Sequence, residues 1–274
     1  EWSRDPRFLL QRSSTSWLCC SLCLQANLVI CTLSAFTLNR IYTHPLKPLL
    51  IYILTLEKLS HCPCKKQLIQ IQKQHKLIKP GSSVLDLGCA PGAWLQVACQ
   101  SLGPLKSGGS VVGIDIKKVK VPSLHCDARV QTICADVMNL HRDQVRTLSP
   151  RLKGFSVILS DMCPSISGIT SKDAALSVEL GMQALDLAVG GATSIHPDDD
   201  TQKGRQSDCS SSSDDNGILQ PGGHLVVKLL ESEDVQEFSR ICKPMFKKAS
   251  WLRPKATRSS SREIYLICQG FNPR

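Results

Sequence analysis

Four acids follow the ends of four apolar runs in this chain: Asp86, Asp115, Asp136 and Asp161. In an open parallel sheet, ligands bind beyond the carboxyl ends of the strands. Four carboxylates on one rim can therefore grip a polar ligand. The acid after the second run suits a ribose, whose two hydroxyls one carboxylate can accept. Asp136 can accept from an adenine amino group. Asp86 and Asp161 favour a cation such as a sulfonium. The first acid belongs to the run Val84–Trp94, Val-Leu-Asp-Leu-Gly-Cys-Ala-Pro-Gly-Ala-Trp. Gly88 and Gly92, with Pro91 between them, let backbone come close to a ligand because glycine has no Cβ. The spacing is neither the Gly-x-Gly-x-x-Gly of dinucleotide sites nor a triphosphate loop ending in Gly-Lys-Ser/Thr. It suits a nucleoside without a pyrophosphate, and S-adenosylmethionine fits. The alternatives are an ordinary strand-to-helix turn and acids that cap helices.

Lys228 is the other residue with chemical promise. It lies in Leu225-Val-Val-Lys-Leu-Leu230, an otherwise apolar run. A buried lysine must be paired or lose its charge. A lysine held neutral can act as a general base. The competing reading is an edge-strand lysine that reaches out to water.

The elements that must position these residues read as βα units from Leu68 onward. A short amphipathic helix covers Leu68–Leu77 and stops at Pro80-Gly81. Strands are expected at Val84–Leu87, Ser110–Ile116, Gln131–Cys134, Phe155–Ser160, His224–Leu230, Ser250–Leu252 and Glu263–Cys268. Helices are expected at Ala93–Leu102, Ala174–Val189 and Val235–Lys248. Residues 1–67 lack this alternation and are read as a separate amino-terminal segment, with residues 68–274 as one domain. Gly190–Gly217 carries six aspartates and a serine run. Such a stretch cannot bury enough apolar surface to order itself and is read as a disordered acidic loop.

The 274 residues carry a net charge of +10, which favours a polyanionic partner such as nucleic acid. The 14 cysteines are scattered, several within apolar runs, so a reducing compartment is expected rather than a disulfide framework. Cys62-Pro-Cys64 has no second pair at zinc spacing, and no metal is expected. Trp17–Phe36 is uncharged and matches the ~20 residues that span a bilayer. Its Gln25, Asn27 and Ser/Thr residues argue against a span. The chain begins at Glu1 rather than Met, so it is read as a fragment, a processed form or an odd gene model, with residues 1–67 as a leader or a gene-model artefact.

Four ordered motifs carry a resemblance. Asp86-Leu-Gly-Cys-Ala-Pro-Gly-Ala-Trp94, Leu159-Ser-Asp-Met-Cys-Pro164, Pro221-Gly-Gly-His-Leu-Val-Val-Lys228 and Ser261-Arg-Glu-Ile-Tyr265 resemble the FtsJ/RrmJ family of ribosomal RNA 2′-O-methyltransferases. The likeness runs from Leu68 to Phe271. It implies an α/β, Rossmann-like methyltransferase fold with a seven-stranded, mostly parallel sheet whose last strand is antiparallel. It implies S-adenosylmethionine held by Gly92, Trp94, Asp115, Asp136 and Asp161, with Asp86, Gly88 and Pro91 in the same loop region. It also implies a Lys-Asp-Lys-Glu catalytic tetrad, of which Asp161, Lys228 and Glu263 match three members. In that scheme Lys228 takes the proton of a ribose 2′-hydroxyl while Asp161 and Glu263 orient it. The family's first lysine falls on Gln67, with Lys65 and Lys66 just upstream.

The implied partner is ribosomal RNA or the large ribosomal subunit, with no DNA, and the chain is expected to act as a monomer in an organelle, the mitochondrion ahead of the chloroplast. Lys243, Lys247, Lys248, Arg253, Lys255, Arg258 and Arg262, with Lys117, Lys118 and Lys120, are candidate phosphate anchors. Two further readings stay open. One is a catalytically impaired RNA-binding or ribosome-assembly factor; the other is a methyltransferase for tRNA or mRNA caps.

Overall fold

The computed structural model describes residues 62–191 and 217–273. The apolar stretch Trp17–Phe36 and nearly all of the acidic segment lie outside those residues. Among the described residues, no helix is long and apolar enough to cross a membrane.

In chain order the elements are α1 (Pro63–His75), β1 (Ser83–Leu87), α2 (Ala93–Ser101), β2 (Ser110–Asp115), β3 (Val130–Cys134), α3 (Arg142–Thr147), β4 (Phe155–Ser160), α4 (Thr170–Val189), β5 (Leu219–Leu230), α5 (Val235–Cys242), β6 (Phe246–Leu252) and β7 (Glu263–Phe271). The seven strands form one sheet in the order β3-β2-β1-β4-β5-β7-β6. Neighbours pair in parallel from β3 to β5, and β7 runs antiparallel to both β5 and β6. This is the α/β methyltransferase arrangement the sequence implied.

Several boundaries differ from the sequence reading: β5 begins at Leu219 rather than His224, α4 at Thr170 rather than Ala174 and β6 at Phe246 rather than Ser250, β7 runs on to Phe271, and α3 has no counterpart in it. Two further differences have a local cause. α1 starts at Pro63, five residues before Leu68, because proline at the first helical position has no N–H to leave unsatisfied. The helix therefore crosses position 67 without a break. The helix expected over Val235–Lys248 ends at Cys242. Pro244 then sits in a single tight turn, Lys243–Met245, and Phe246 opens β6 and packs on Phe271 of β7 with ring centroids 5.6 Å apart.

The central strands β1, β2, β4 and the second half of β5 are buried on both faces, as expected for a covered parallel sheet, while the edge strands β3 and β6 are partly exposed. On one face Leu85, Leu87, Val112, Ile114, Ile158, Val227, Leu229 and Leu266 pack towards α4 and α5. On the other Val84, Val111, Val157, Leu159, Val226, Tyr265 and Ile267 pack towards α1 and α2. Side chains alternate along a strand. Hence Asp86, Asp115, Asp161, Lys228 and Glu263 all belong to the α1/α2 face.

Candidate active site

Register brings the site together. Leu87 pairs with Ile114 and Ser160, and Ser160 with Val227. One residue further along each parallel strand lie Gly88, Asp115, Asp161 and Lys228, and Lys228 pairs with Tyr265 on β7. A single row at the carboxyl edge of the sheet thus reads Asp115, Gly88, Asp161, Lys228, Tyr265. Glu263 stands opposite Leu230, one side-chain step above Tyr265.

Lys228 is 4% exposed. Its Nζ lies 2.8 Å from the Asp161 carbonyl, 3.0 Å from Asp161 Oδ1 and 3.7 Å from Glu263 Oε1. The two Asp161 oxygens lie at hydrogen-bond distance from the ammonium, and Glu263 adds an ion pair at longer range. Burial pushes the Asp161 carboxyl above the usual carboxylate range and Glu263 adds to that rise, while Lys228 opposes it. The Tyr265 hydroxyl stands between two acceptors, Gln67 Oε1 at 3.1 Å and Asp161 Oδ1 at 3.2 Å. Burial and the carboxylates of Asp161 and Glu263 raise the Tyr265 phenol well above its ordinary range, so it stays a donor.

Gln67 occupies the place at which the resemblance puts a lysine. It is buried, and its amide donates to Thr257 Oγ1 at 3.1 Å and to Glu263 Oε2 at 3.3 Å. Its neighbours on α1 do not take over that position. Lys66 is exposed, and Lys65 is buried against α2, donating to Gln96 Oε1 at 2.8 Å. Tyr265 and Thr257 are the members of this cluster to which sequence reasoning gave no role, whereas Gln67 was picked out as the place of the family's first lysine. A buried tyrosine in a strand reads as core, and only its register opposite Lys228 reveals it.

The glycine loop has the bare backbone expected of a ligand cradle. Gly88 has φ +78°, and a Cβ there would sit 2.9 Å from the Met162 backbone. Gly92 has φ +103° and opens α2, and a Cβ there would sit 2.8 Å from Pro122 Cγ. Pro91 is exposed between them. Asp115 pins the loop, accepting from the N–H of Ala90 at 2.9 Å and of Lys117 at 2.8 Å.

Asp86 lies one side-chain step below Gly88. It is fully buried, and among the described residues neither of its carboxylate oxygens has a hydrogen-bond partner. Burial, with Asp161 and Asp115 nearby, pushes its carboxyl well above the usual carboxylate range. A bare cradle above an unpartnered buried carboxyl fits a small ligand with a positive end, which S-adenosylmethionine is.

Two expected ligand residues are placed differently. Asp136 is exposed and caps a single helical turn, accepting from Met138 N at 3.0 Å and Asn139 Nδ2 at 3.1 Å. Trp94 is buried; its indole N–H donates to the Cys64 carbonyl at 2.8 Å and its ring lies 5.8 Å from that of Tyr265. The Trp94 side chain therefore ties α1, α2 and β7 together beneath the site rather than facing the rim.

A structure of a Plasmodium falciparum protein described as a ribosomal RNA methyltransferase superposes with a TM-score of 0.57 at 21% identity, covering 77% of this chain and 97% of that one, which establishes the fold. Ribosomal RNA large subunit methyltransferase E of Desulfosudis oleivorans is 34% identical over 220 residues, spanning 79% of this chain and 87% of that protein. The protein of the same description from Syntrophobacter fumaroxidans is 34% identical over 201 residues, 73% of this chain and 84% of its own length. The profile described as FtsJ-like methyltransferase matches residues 65–271, and with the catalytic row and the glycine cradle in place the chain belongs to that family.

Proposed function

We propose that this protein methylates a ribose 2′-hydroxyl, that of a uridine, in large-subunit ribosomal RNA. The cofactor of the family is S-adenosylmethionine, which when bound supplies an electrophilic methyl group on a positively charged sulfur. Gly88, Gly92, Asp115 and Asp86 would hold it, with Asp136 at the outer end. The remaining tasks fall to side chains of the catalytic row. Lys228, after losing one proton, accepts the proton of the ribose hydroxyl as that oxygen attacks. Asp161 aims the lysine through its carbonyl and its carboxylate. Glu263 backs it from β7 and is itself held by Gln67.

The observation that carries this reading is the burial of Lys228 in a strand, in reach of two carboxylates. The relatives named above act on the RNA of the large subunit, and the basic charge of the chain suits that substrate. The test is transfer of labelled methyl groups to large ribosomal subunits, with the modified ribose mapped by its resistance to alkaline cleavage. Lys228→Ala is expected to lower transfer by about 10²–10⁴-fold, the usual worth of a positioned base, while S-adenosylmethionine still binds. Undiminished transfer by that variant would remove Lys228 from the mechanism. Gln67 favours a second reading, an RNA-binding assembly factor on the same fold. That reading predicts RNA binding without transfer in this chain.

A further inference from the structure

Asp86 differs from every other carboxylate of the rim. Asp115 accepts two backbone N–H groups, Asp136 caps a turn, Asp161 holds Lys228, and Glu263 accepts from Gln67. Asp86 is fully buried one side-chain step below Gly88, and among the described residues nothing hydrogen-bonds to it. Its flanking strand partners are Gly113 on β2 and Leu159 on β4, neither of which offers a side-chain donor.

The charged and titratable groups that face it are acidic or neutral: Asp115 from β2, Asp161 from the end of β4, and the Cys89 thiol from the loop above. The two buried cations among the described residues have other partners. Lys228 holds Asp161 and Glu263, and Lys65 on α1 donates to Gln96 of α2. A carboxylate left in such a place without a counter-charge is costly, and a buried acid escapes that cost by keeping its proton.

We propose that Asp86 is a proton-linked cation site: its carboxyl keeps a proton in the free protein and releases it to solvent when the positive end of the cofactor settles beside it. This rests on the methyltransferase reading and goes beyond it, because it makes cofactor affinity depend on pH through one buried acid. The positive end has two sources. S-adenosylmethionine carries a sulfonium and an α-ammonium; S-adenosylhomocysteine, the product, carries the ammonium alone. If Asp86 answers to the sulfonium, it distinguishes cofactor from spent product and favours product release.

The test is titration calorimetry of the whole chain in two buffers of different ionisation enthalpy, near neutral pH. The difference in apparent enthalpy counts protons released per ligand bound. S-adenosylmethionine is expected to release a proton, and its affinity is expected to rise up to tenfold per pH unit while Asp86 is the titrating group. Release with S-adenosylmethionine but not with S-adenosylhomocysteine assigns Asp86 to the sulfonium; equal release with both assigns it to the ammonium. 5′-Methylthioadenosine, which carries neither cation, is expected to bind without release. Asp86→Asn, which keeps the shape and removes the titration, is expected to abolish the release.

Binding of S-adenosylmethionine with no buffer dependence overturns the proposal and leaves the methyltransferase reading intact. Release by methylthioadenosine, or undiminished release in Asp86→Asn, also overturns it. No binding by any of these nucleosides overturns both readings together.

Discussion

Lys228 lies 3.0 Å from one carboxylate and 3.7 Å from a second, and both favour its charged form. A base must be uncharged before it can accept a proton. Gln67 adds hydrogen bonds but no charge to this group, so nothing it contributes opposes the carboxylates. A lysine at position 67 would place a second cation against Glu263. At an effective dielectric constant of about 20, two charges separated by ~7 Å interact by about 2 kcal/mol, roughly one to two pH units. Gln67→Lys should therefore move the acid limb of the rate profile to lower pH by about one to two units and raise the rate at neutral pH by about tenfold or more. An unchanged profile would show that position 67 does not tune the base. Asp86 makes the opposite kind of prediction. Its carboxyl is raised by burial, with Asp161 and Asp115 adding to the rise, so the folded chain binds its proton more tightly than the unfolded chain does. Its contribution is therefore most favourable at acid pH and is lost as pH rises from the ordinary carboxylate range through the raised value. Asp86→Asn removes that loss. The variant should melt at a higher temperature than the parent at neutral pH, and the gain should shrink towards pH 4. A gain of about 1 kcal/mol corresponds to ~2–4 °C in a domain of this size. A lower melting temperature at every pH would mean that the carboxylate is compensated after all.

At the scale of elements, the turn between β1 and α2 must pass very close to the segment that carries Asp161. Gly88 allows this, since a Cβ at its φ of +78° would lie 2.9 Å from both N and Cα of Met162, the residue after Asp161. Gly88→Ala has to strain its own backbone, at about 1–2 kcal/mol, and push Met162 away, at a further ~1–3 kcal/mol. Gly168→Ala is the control: its φ is +85°, but a Cβ there meets nothing within 4 Å. The denaturant midpoint should fall more for Gly88→Ala, and only that variant should lose cofactor affinity. Equal losses would show that contact with Met162 is unimportant. These elements differ in how far the sequence reveals them. β1, β2 and β4 are apolar runs ending in an acid, and strands buried on both faces leave that signature. The face each acid belongs to emerges only from the register. The early start of α1 was signalled by Pro63, but Cys-Lys-Lys-Gln has no apolar period to extend the helix backwards. Pro244 was a readable stop for α5, yet the amphipathic pattern carries past it. Gln67 and Tyr265 are 198 residues apart and meet only because β7 inserts between β5 and β6 against α1, a long-range event with no local trace.

The whole molecule carries 33 Lys and Arg against 23 Asp and Glu, and the sheet order sorts the candidate phosphate anchors into separate places. Lys117, Lys118 and Lys120 follow β2, near the opposite edge of the sheet from Lys247 and Lys248 of β6. Between them, the segment joining β6 to β7 docks on α1: Lys255 N donates to Gln70 Oε1 at 2.7 Å, and Thr257 accepts from Gln67. That contact sets the exposed Lys255 beside a helix that carries the exposed Lys66 and Lys73, next to the catalytic row. Two arginines of the same segment serve the fold instead. Arg253 pairs with Glu231 at 3.1 Å and donates to the carbonyls of Ser259 and Ser261; Arg262 donates to the carbonyls of Glu231 and Thr170. If RNA lies across α1 and this segment, each lysine that neutralises a phosphate releases counterions, and the logarithm of affinity falls with the logarithm of salt by ~0.7–0.9 per phosphate. Lys66→Ala, Lys73→Ala and Lys255→Ala should each reduce that slope by about 1 and weaken different RNA sequences alike. Arg253→Ala should leave the slope near its original value and lower the melting temperature, because the carbonyls it holds lose their donor. A parent slope near zero would remove RNA from this face. A slope that responds to Arg253 but not to Lys255 would move the phosphate path away from α1, towards the outer edge at β6.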